Sequence, residues 1–319
     1  MDAAPLFAEV AEGPSGGRAW WINARDGQRL RVGLWNRDAT KGTVLIFPGR
    51  TEYVEKYGLA AAALAQHGYA SLVIDWRGQG LADRLLDDTM SGHVHHFPDY
   101  QNDVAAMTEA AARLDLPRPW HLLAHSMGGC IGLRAVMQGL DVQSCVFSSP
   151  MWGIKLAEAL RPVAWWLSWG SQHLGLSHRY APGTTADHYV LTEPFETNKL
   201  TNDQGMWNFM ARQIAAHPEL GLGGPSLRWL YEALRETRDL SLRPSPDLPC
   251  LTILGSDEDI VDVARVTDRM ARWPSGRLEM VKGGRHETLM DTEATQAHLF
   301  RVIGDFFSQH HARDAAAVS

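Results

Sequence analysis

Short apolar runs alternate with longer amphipathic stretches through the first half of the chain. The apolar runs have the length of buried strands and fall at residues 43–47, 70–74, 120–124 and 145–148. The stretches between them are helix-like and fall at residues 53–67, 99–114 and 127–138. Strands that alternate with helices are typical of a mostly parallel, doubly wound sheet, so the pattern predicts an α/β fold.

The beginning of the chain departs from this alternation. Asp26 and Gly27 separate two strand-like stretches at residues 18–24 and 28–35. An aspartate followed by glycine between two such stretches is a strong signal for a tight hairpin. We therefore expect the sheet to begin with antiparallel strands.

After Pro150 the alternation is interrupted by a long insertion. It resumes with two strands and a closing helix, at residues 250–254, 277–281 and 292–309. We therefore predict an α/β core with an inserted helical cap. The core comprises residues 1–150 and 248–311, the cap residues 151–247, and a disordered alanine-rich tail residues 312–319.

Composition narrows the functional classes. The 319 residues carry a net charge of -7 and no run of lysines and arginines, which argues against a nucleic-acid partner. Cys130, Cys145 and Cys250 lie in apolar contexts without metal-ligand spacing, which predicts buried, reduced thiols in a cytoplasmic protein. No window reaches the roughly 18 apolar residues of a spanning helix, and residues 1–10 do not resemble a signal peptide.

The stretch from residue 122 to 129, LLAHSMGG, places Ser126 between an apolar strand and a helix with small residues. In a strand-turn-helix elbow the serine lies on a sharp turn, so its hydroxyl projects from the carboxyl edge of the sheet as a nucleophile. A plain helix N-cap serine is the alternative interpretation. The elbow interpretation predicts acyl transfer.

A glycine-containing loop follows the first long apolar strand, at residues 47–52 (FPGRTE). Gly49 lets the backbone turn over the cleft, so that the N–H of Arg50, together with that of Met127, can hold an oxyanion. An ordinary strand-to-helix turn is the alternative.

Two later loops hold candidates for the rest of a catalytic triad. Residues 254–262 (LGSDEDIVD) carry an excess of acids after a strand, although such a loop end is often a solvated helix cap. His286 follows the last strand in the loop GGRHE. The order serine, acid, histidine is the order that α/β-hydrolases use.

Together, these motifs resemble the α/β-hydrolase superfamily, and within it the bacterial serine lysophospholipases related to monoglyceride lipases. The resemblance runs from about residue 43 to residue 307. Besides the serine motif it is carried by residues 49–57 (GRTEYVEKY), 75–80 (DWRGQG), 92–100 (GHVHHFPDY) and 223–229 (GGPSLRW).

The resemblance implies roles for individual residues. It makes Ser126 the nucleophile, His286 the base, and the backbone N–H groups of Arg50 and Met127 the oxyanion hole. Ala124 stands where the wider superfamily has the first glycine of its serine motif. No cofactor is implied.

The acid of the triad follows from aligning residues 260–262 with the apolar pair and aspartate that come after the family's acid. That alignment puts Glu258 in the catalytic position, with Asp257 and Asp259 as alternatives. Glutamate is one methylene longer than the aspartate usual in monoglyceride lipases, so the histidine loop has to lie correspondingly farther back.

The resemblance further implies hydrolysis of a single-chain lipid ester, a lysophospholipid with monoacylglycerol as a near neighbour. A short-chain carboxylesterase and a non-catalytic binding protein on the same scaffold are the alternatives. We expect a cytoplasmic protein, with peripheral contact to the inner membrane face through the cap as an extension of the substrate class. The oligomeric state is left open.

The cap is rich in tryptophan. Six of the chain's 12 tryptophans fall in it, and a lid that meets an acyl chain would use such rings. Trp152 and Trp229 are the candidate substrate-binding residues, the alternative being that the cap tryptophans form its own core. His93, His95 and His96 cluster in one loop, where we expect hydrogen-bonding scaffold and no metal.

Overall fold

The computed structural model describes residues 1–155 and 161–311, and a nine-stranded sheet runs through its centre. The strands are β1 (Ala3–Ala4), β2 (Arg18–Asn23), β3 (Arg29–Trp35), β4 (Thr43–Phe47), β5 (Ala70–Asp75), β6 (Trp120–His125), β7 (Cys145–Ser148), β8 (Cys250–Gly255) and β9 (Gly276–Val281). Their order is β1-β2-β3-β5-β4-β6-β7-β8-β9. The pairs β1-β2, β2-β3 and β3-β5 are antiparallel. The remaining pairs, from β5-β4 to β8-β9, are parallel. The predicted mostly parallel sheet and its opening hairpin are confirmed.

Ten α-helices accompany the sheet in the described part of the chain. They are α1 (Ala8–Ala11), α2 (Gly58–Gln66), α3 (Tyr100–Arg113), α4 (Ser126–Met137), α5 (Arg161–His173), α6 (Tyr189–Thr192), α7 (Gln204–Ala216), α8 (Leu227–Ser241), α9 (Val263–Ala271) and α10 (Glu293–Gln309). The helix predicted at residues 53–67 is divided, because a 3₁₀ turn at Val54–Tyr57 precedes α2. None of the described helices has the length and apolar character needed to cross a membrane.

Apolar side chains cover both faces of the sheet, which explains the continuous apolar runs of its central strands. On one face, residues of α3, α4, α8 and α9 pack against Leu45, Phe47 and Leu122. On the other face, residues of α2 and α10 pack against Val44 and Ile46. This arrangement is the doubly wound architecture that the alternation predicts.

Helix α4 lies very close to the sheet. A Cβ atom at Gly128 would lie 2.1 Å from the carbonyl oxygen of Phe47, so only glycine fits there. One turn farther on, a Cβ atom at Gly132 would lie 3.3 Å from that of Ala124. The helix therefore supplies the glycine opposite the alanine that replaces the first glycine of the serine motif.

Helices α5 to α8 lie between β7 and β8 in the chain, within the range predicted for the cap. Part of this segment contributes to a separate apolar cluster, in which Trp207, Phe209 and Ile214 pack with Tyr53 and Met290 of the α/β core. The exact limits of the cap, 151–247, stay a prediction. The predicted tail at residues 312–319 lies outside the described residues.

Candidate active site

Ser126 is the first residue of α4 and directly follows β6. Its φ angle of 50° lies in the left-handed region, which non-glycine residues rarely occupy. The strain is held in place by the parallel pairing of β6 with β4 and β7 and by the packing of α4. The serine is thereby presented at the carboxyl edge of the sheet.

Ser126, His286 and Glu258 form a continuous hydrogen-bonded chain. Ser126 Oγ lies 2.9 Å from His286 Nε2, and His286 Nδ1 lies 2.8 Å from Glu258 Oε2. The other carboxylate oxygen of Glu258 accepts the backbone N–H groups of Ile260 at 2.6 Å and Val261 at 3.1 Å. Both Glu258 and His286 are buried, so the geometry of the chain is fixed by its surroundings.

The charge state of Glu258 follows from opposing influences on its pKa. Burial raises the pKa of Glu258. The hydrogen bond and charge of His286 and the two backbone N–H groups together lower it by more, so the net shift is downward. Glu258 is therefore a carboxylate at neutral pH. Its oxygen accepts the proton on His286 Nδ1, which leaves Nε2 free to accept from the serine hydroxyl.

The other two candidate acids, Asp257 and Asp259, have other partners. Asp257 is exposed and accepts a hydrogen bond from Ser256. Asp259 pairs with Lys155 and Lys199, and these two hydrogen bonds lower the pKa of Asp259 to about 2. Of the three candidate acids, the structure brings Glu258 alone to the histidine.

The loop after β4 lies against the serine. A Cβ atom at Gly49 would lie 3.1 Å from that of Ser126. Two side chains of the motif DWRGQG hold this loop, since Trp76 donates to the Pro48 carbonyl at 2.9 Å and Gln79 donates to the Gly49 carbonyl at 2.8 Å. Arg50 thus follows a fixed turn beside the serine.

Met127 is the second residue of α4 and is fully buried. The first N–H groups of a helix have no partner within the helix, so the Met127 N–H is available as a donor. Met127 thus directly follows Ser126, close to the loop that carries Arg50, and the role of the two backbone N–H groups as an oxyanion hole stays a prediction.

A buried charged cluster lies beneath this site. Lys56 Nζ lies 2.5 Å from Glu52 and 2.6 Å from Glu287, and the Nε2 atom of His125 lies 3.4 Å from Glu287. Burial raises the pKa of Glu287, but the charges of His125 and Lys56 outweigh it and hold that pKa well below its usual range. The His125 ring lies 4.9 Å from that of His286, so the cluster packs against the histidine of the hydrogen-bonded chain.

The same cluster is where a metal ion would be sought. The ligand atoms of Glu52, His125 and Glu287 lie within 4.8 Å of one another. However, the Lys56 ammonium already contacts both carboxylates, so a cation occupies the position that a metal ion would need. The residues present therefore fit an internal ion-pair network better than a metal centre.

A cavity of about 290 Å³ opens at Ser126 and His286. Its wall combines residues of the core with residues of the inserted segment. The apolar part of the wall comprises Tyr53, Val190, Leu200, Met210 and Ile260. Cavities of this kind accommodate apolar ligands that carry a few polar groups.

The predicted substrate-binding tryptophans are not among the described residues of this wall. Trp152 is buried in the core, where it packs against Trp273 and donates to the Gly129 carbonyl at 3.1 Å. Trp229 lies at the start of α8, with its ring centroid 5.7 Å from the guanidinium carbon of Arg50. A role of either ring in substrate binding stays a prediction.

The three clustered histidines take separate positions. His93 is buried, with Nδ1 2.9 Å from the hydroxyl of Ser226, which also accepts the N–H of Trp229. Burial lowers the pKa of His93 to about 4, with the neighbouring cations contributing less. His95 and His96 are exposed. His93 thus joins the loop to the N-terminus of α8.

Some residues of the site could not be picked out from the sequence by themselves. Glu52 is the last residue of the loop at residues 47–52 and is spaced i,i+4 from Lys56, and Glu287 directly follows His286. The i,i+4 spacing is a signal for the Glu52–Lys56 pair alone, and no local pattern indicates that Glu287 joins it. His188 of the inserted segment lines the cavity, and no local motif marks it.

Comparison with known proteins identifies the family. Residues 38–293 match the hydrolase family described as serine aminopeptidase, S33. The match covers most of the chain, so the protein belongs to this family of α/β-hydrolases. The superfamily resemblance drawn from the sequence is confirmed.

Comparison with individual proteins shows which members of the family this chain is similar to. The chain is 32% identical to lysophospholipase L2 of Escherichia coli (strain K12) over 282 residues, which cover 84% of this chain and 81% of the relative. It is 28% identical to the probable lysophospholipase L2 of Haemophilus influenzae over 272 residues, or 85% of each protein. The similarity to the bacterial lysophospholipase branch is likewise confirmed.

Solved structures support the fold at lower identity. A soluble variant of monoglyceride lipase from Saccharomyces cerevisiae superposes with a TM-score of 0.70 at 19% identity, covering 91% of this chain and 94% of that one. A carboxyl esterase from Bacillus coagulans gives a TM-score of 0.70 at 14% identity, covering 93% and 99%. At these identities the likeness concerns the α/β-hydrolase fold.

Proposed function

We propose that this ester hydrolase cleaves the carboxylic ester of a single-chain lipid, a lysophospholipid with monoacylglycerol as a second substrate. The observation that carries the proposal is the hydrogen-bonded chain from Ser126 through His286 to Glu258 at the mouth of a cavity with an apolar wall. The names of the bacterial relatives support a lysophospholipid as substrate.

In the first step, Ser126 Oγ attacks the acyl carbonyl carbon while His286 Nε2 takes the hydroxyl proton. The backbone N–H groups of Arg50 and Met127 donate to the resulting oxyanion. The bond from the acyl carbon to the alcohol oxygen then breaks, and His286 gives the proton to that oxygen. The alcohol departs, and the acyl group remains bound to Ser126 as an acyl-enzyme.

In the second step, His286 Nε2 takes a proton from water, and the hydroxide attacks the acyl carbonyl. The same N–H groups hold the second oxyanion, and the proton returns to Ser126 Oγ as the fatty acid leaves. Throughout, Glu258 keeps the proton of His286 on Nδ1 and stabilises the imidazolium. The carboxylate itself remains ionised.

The first experiment measures fatty-acid release from a lysophospholipid, a monoacylglycerol and a short-chain ester. We expect wild type to cleave the two lipids and Ser126→Ala to lose several orders of magnitude in kcat on each. A serine-directed fluorophosphonate should label wild type and leave Ser126→Ala unlabelled. Cleavage of the short-chain ester alone would favour the carboxylesterase, and failure on all three without labelling would favour the binding protein.

We also propose that the enzyme is cytoplasmic and contacts a lipid surface through α5 and the turn that follows it. This segment exposes Trp166 and Leu174 by 69% and 74%, and further apolar side chains beside them at Val163, Leu167, Trp169 and Leu176. Exposed tryptophans on an apolar helix face are typical of segments that lie in a membrane interface. A lipid surface is the partner that also supplies the proposed substrate.

Vesicle sedimentation tests this contact. Because the chain carries a net charge of -7, binding should depend on apolar burial, so neutral phosphatidylcholine vesicles are the suitable probe. We expect Trp166→Ser with Leu174→Ser to reduce the bound fraction several-fold. Leu242→Ser, which removes a residue that is 80% exposed elsewhere, is the matched control. Equal sedimentation of the double variant and wild type would contradict the proposal.

A further inference from the structure

In the described part of the chain, the Arg50 side chain is a cation without a carboxylate counter-ion. Its Nη1 atom donates to the Gly223 carbonyl at 2.8 Å, and its guanidinium carbon lies 5.7 Å from the Trp229 ring centroid. Across residues 1–155 and 161–311, no carboxylate forms an ion pair with it. A guanidinium carries five N–H donors, so most of its hydrogen-bonding capacity is unused.

Such an arrangement has an energetic cost. Arg50 is partly buried, and burial lowers the pKa of its guanidinium to about 10, with the nearby Tyr100 opposing the shift slightly. The group is still charged at neutral pH. An unpaired cation in such a position is unfavourable unless an anion compensates it, so the site is suited to an anionic ligand.

Arg50 lines the cavity that contains Ser126, and His188 lines it as well. His188 is 8% exposed, and within the described residues neither ring nitrogen makes a hydrogen bond of normal geometry, although the Thr51 backbone lies near the ring and raises the pKa of His188 slightly. Burial, with the nearby charges of Arg50 and Lys56, lowers the pKa of His188 to about 4. At neutral pH it therefore offers a neutral N–H donor beside the cation.

Other cations of the cavity are already compensated. Lys56 contacts Glu52 and Glu287, and Lys199 lies 2.5 Å from Asp259. Among the described residues of the cavity wall, Arg50 is thus the cation that has no carboxylate partner. An anion in the substrate would be drawn to it.

We propose that the Arg50 guanidinium binds the phosphodiester of the substrate head group and so selects lysophospholipid over monoacylglycerol. This inference rests on the proposed function, because it assigns the head-group end of the same cavity. A guanidinium matches the planar pair of phosphoryl oxygens and binds them through charge-assisted hydrogen bonds. The alcohol beyond the phosphate, such as choline or glycerol, should matter little.

The test compares kcat/KM for a lysophosphatidylcholine, a lysophosphatidylglycerol and a monoacylglycerol that share one acyl chain. We expect Arg50→Gln to lower the ratio of lysophospholipid to monoacylglycerol by about 10-fold to 100-fold, through KM, whatever loss the two substrates share. Both lysophospholipids should shift alike. Arg50→Lys should retain much of the selectivity, because it keeps the charge.

Lys199→Met is the matched control, since it removes a cation of the same wall that already has a partner; its ratio should stay near wild type. An unchanged ratio in Arg50→Gln, with lysophospholipid still cleaved, would overturn the inference. So would weaker inhibition by free fatty acid in place of a changed ratio, because the guanidinium would then bind the product carboxylate.

A binding measurement separates this inference from the proposed function. Calorimetry with an ether-linked lysophospholipid and an ether-linked alkylglycerol needs no turnover. Arg50→Gln should weaken binding of the phosphate-containing ligand more than that of the alkylglycerol. If wild type bound both ether-linked ligands equally, the inference would be wrong even if the enzyme cleaved the esters. If wild type preferred the phosphate-containing ligand but cleaved neither lipid ester, the proposed function would be wrong and the inference about Arg50 would stand.

Discussion

Replacement of Glu258 by glutamine tests the acid of the triad through a specific geometric consequence. One carboxylate oxygen accepts two backbone N–H groups, at 2.6 Å and 3.1 Å, and the other accepts from His286 Nδ1. In Glu258→Gln, the amide oxygen has to stay with the two backbone donors. The amide NH₂ then faces His286 Nδ1 and can only donate to it.

This reversal changes the tautomer of His286. Because Nδ1 must accept, the imidazole proton moves to Nε2, which can then no longer take the proton of Ser126. We expect kcat to fall about a thousandfold, which corresponds to about 4 kcal/mol of transition-state stabilisation. KM should change little, because Glu258 is not among the residues that line the cavity. The loss should remain smaller than that of Ser126→Ala.

The assay is steady-state hydrolysis of a soluble ester, with thermal unfolding measured to exclude loss of folded protein. Asp257→Asn is the matched control, because its side chain is exposed and should leave kcat within about twofold of wild type. A Glu258→Gln enzyme with more than a tenth of wild-type kcat would refute the reasoning. If Asp257→Asn were the inactive variant, the acid would be Asp257.

Three further predictions concern stability. Gly128→Ala should lower the free energy of unfolding by roughly 1–3 kcal/mol, because its methyl would meet a β4 carbonyl, whereas Gly170→Ala, with open space around it, should stabilise α5 by up to about 1 kcal/mol in urea titrations. Lys56→Met should lower the free energy of unfolding by about 3 kcal/mol or more, because it leaves buried carboxylates without a cation. Adding Glu287→Gln to this variant should restore part of the lost free energy of unfolding. The pKa of Glu258 is lower in the folded state than in the unfolded state, whose value is 4.5. The ionised Glu258 therefore stabilises the folded protein fully above pH 4.5, and this stabilisation is lost as the pH falls through the folded-state pKa. The difference in the free energy of unfolding between wild type and Glu258→Gln should accordingly shrink in acid.

The central strands could be predicted because their burial leaves a direct mark on the sequence. Strands such as β4 and β6 are buried on both faces, so they appear as uninterrupted apolar runs. The helices of the insertion gave no comparable signal, since no strands alternate with them. Their packing partners, such as Tyr53 and Met290 around Trp207, lie far away in the chain.

In the candidate site, too, some residues could be predicted from the sequence and others could not. Ser126, His286 and the acidic loop each follow a strand end, where topology brings them together, so order and spacing were sufficient to nominate them. Choosing Glu258 over its neighbours depended on an alignment, and the structure supplies the physical reason, namely that Asp257 is exposed and Asp259 is held by lysines. The contact of Lys56 with Glu287 joins residues 231 positions apart, which no local pattern reveals.

The buried cluster also bears on the charge that develops during the proposed reaction. When His286 takes the serine proton it becomes a cation in a buried site, where a cation is costly without compensation. Glu258 supplies one negative charge at 2.8 Å. Glu52 and Glu287 place two further carboxylates beneath the imidazole, but Lys56 contacts both of them. Burial lowers the pKa of His125, yet the charges of Glu287 and Glu52 outweigh it and raise that pKa, so His125 offsets the second carboxylate and the cluster is not strongly negative. The imidazolium is therefore compensated mainly by Glu258, which is the physical reason that Glu258→Gln should lower kcat far more than Asp257→Asn.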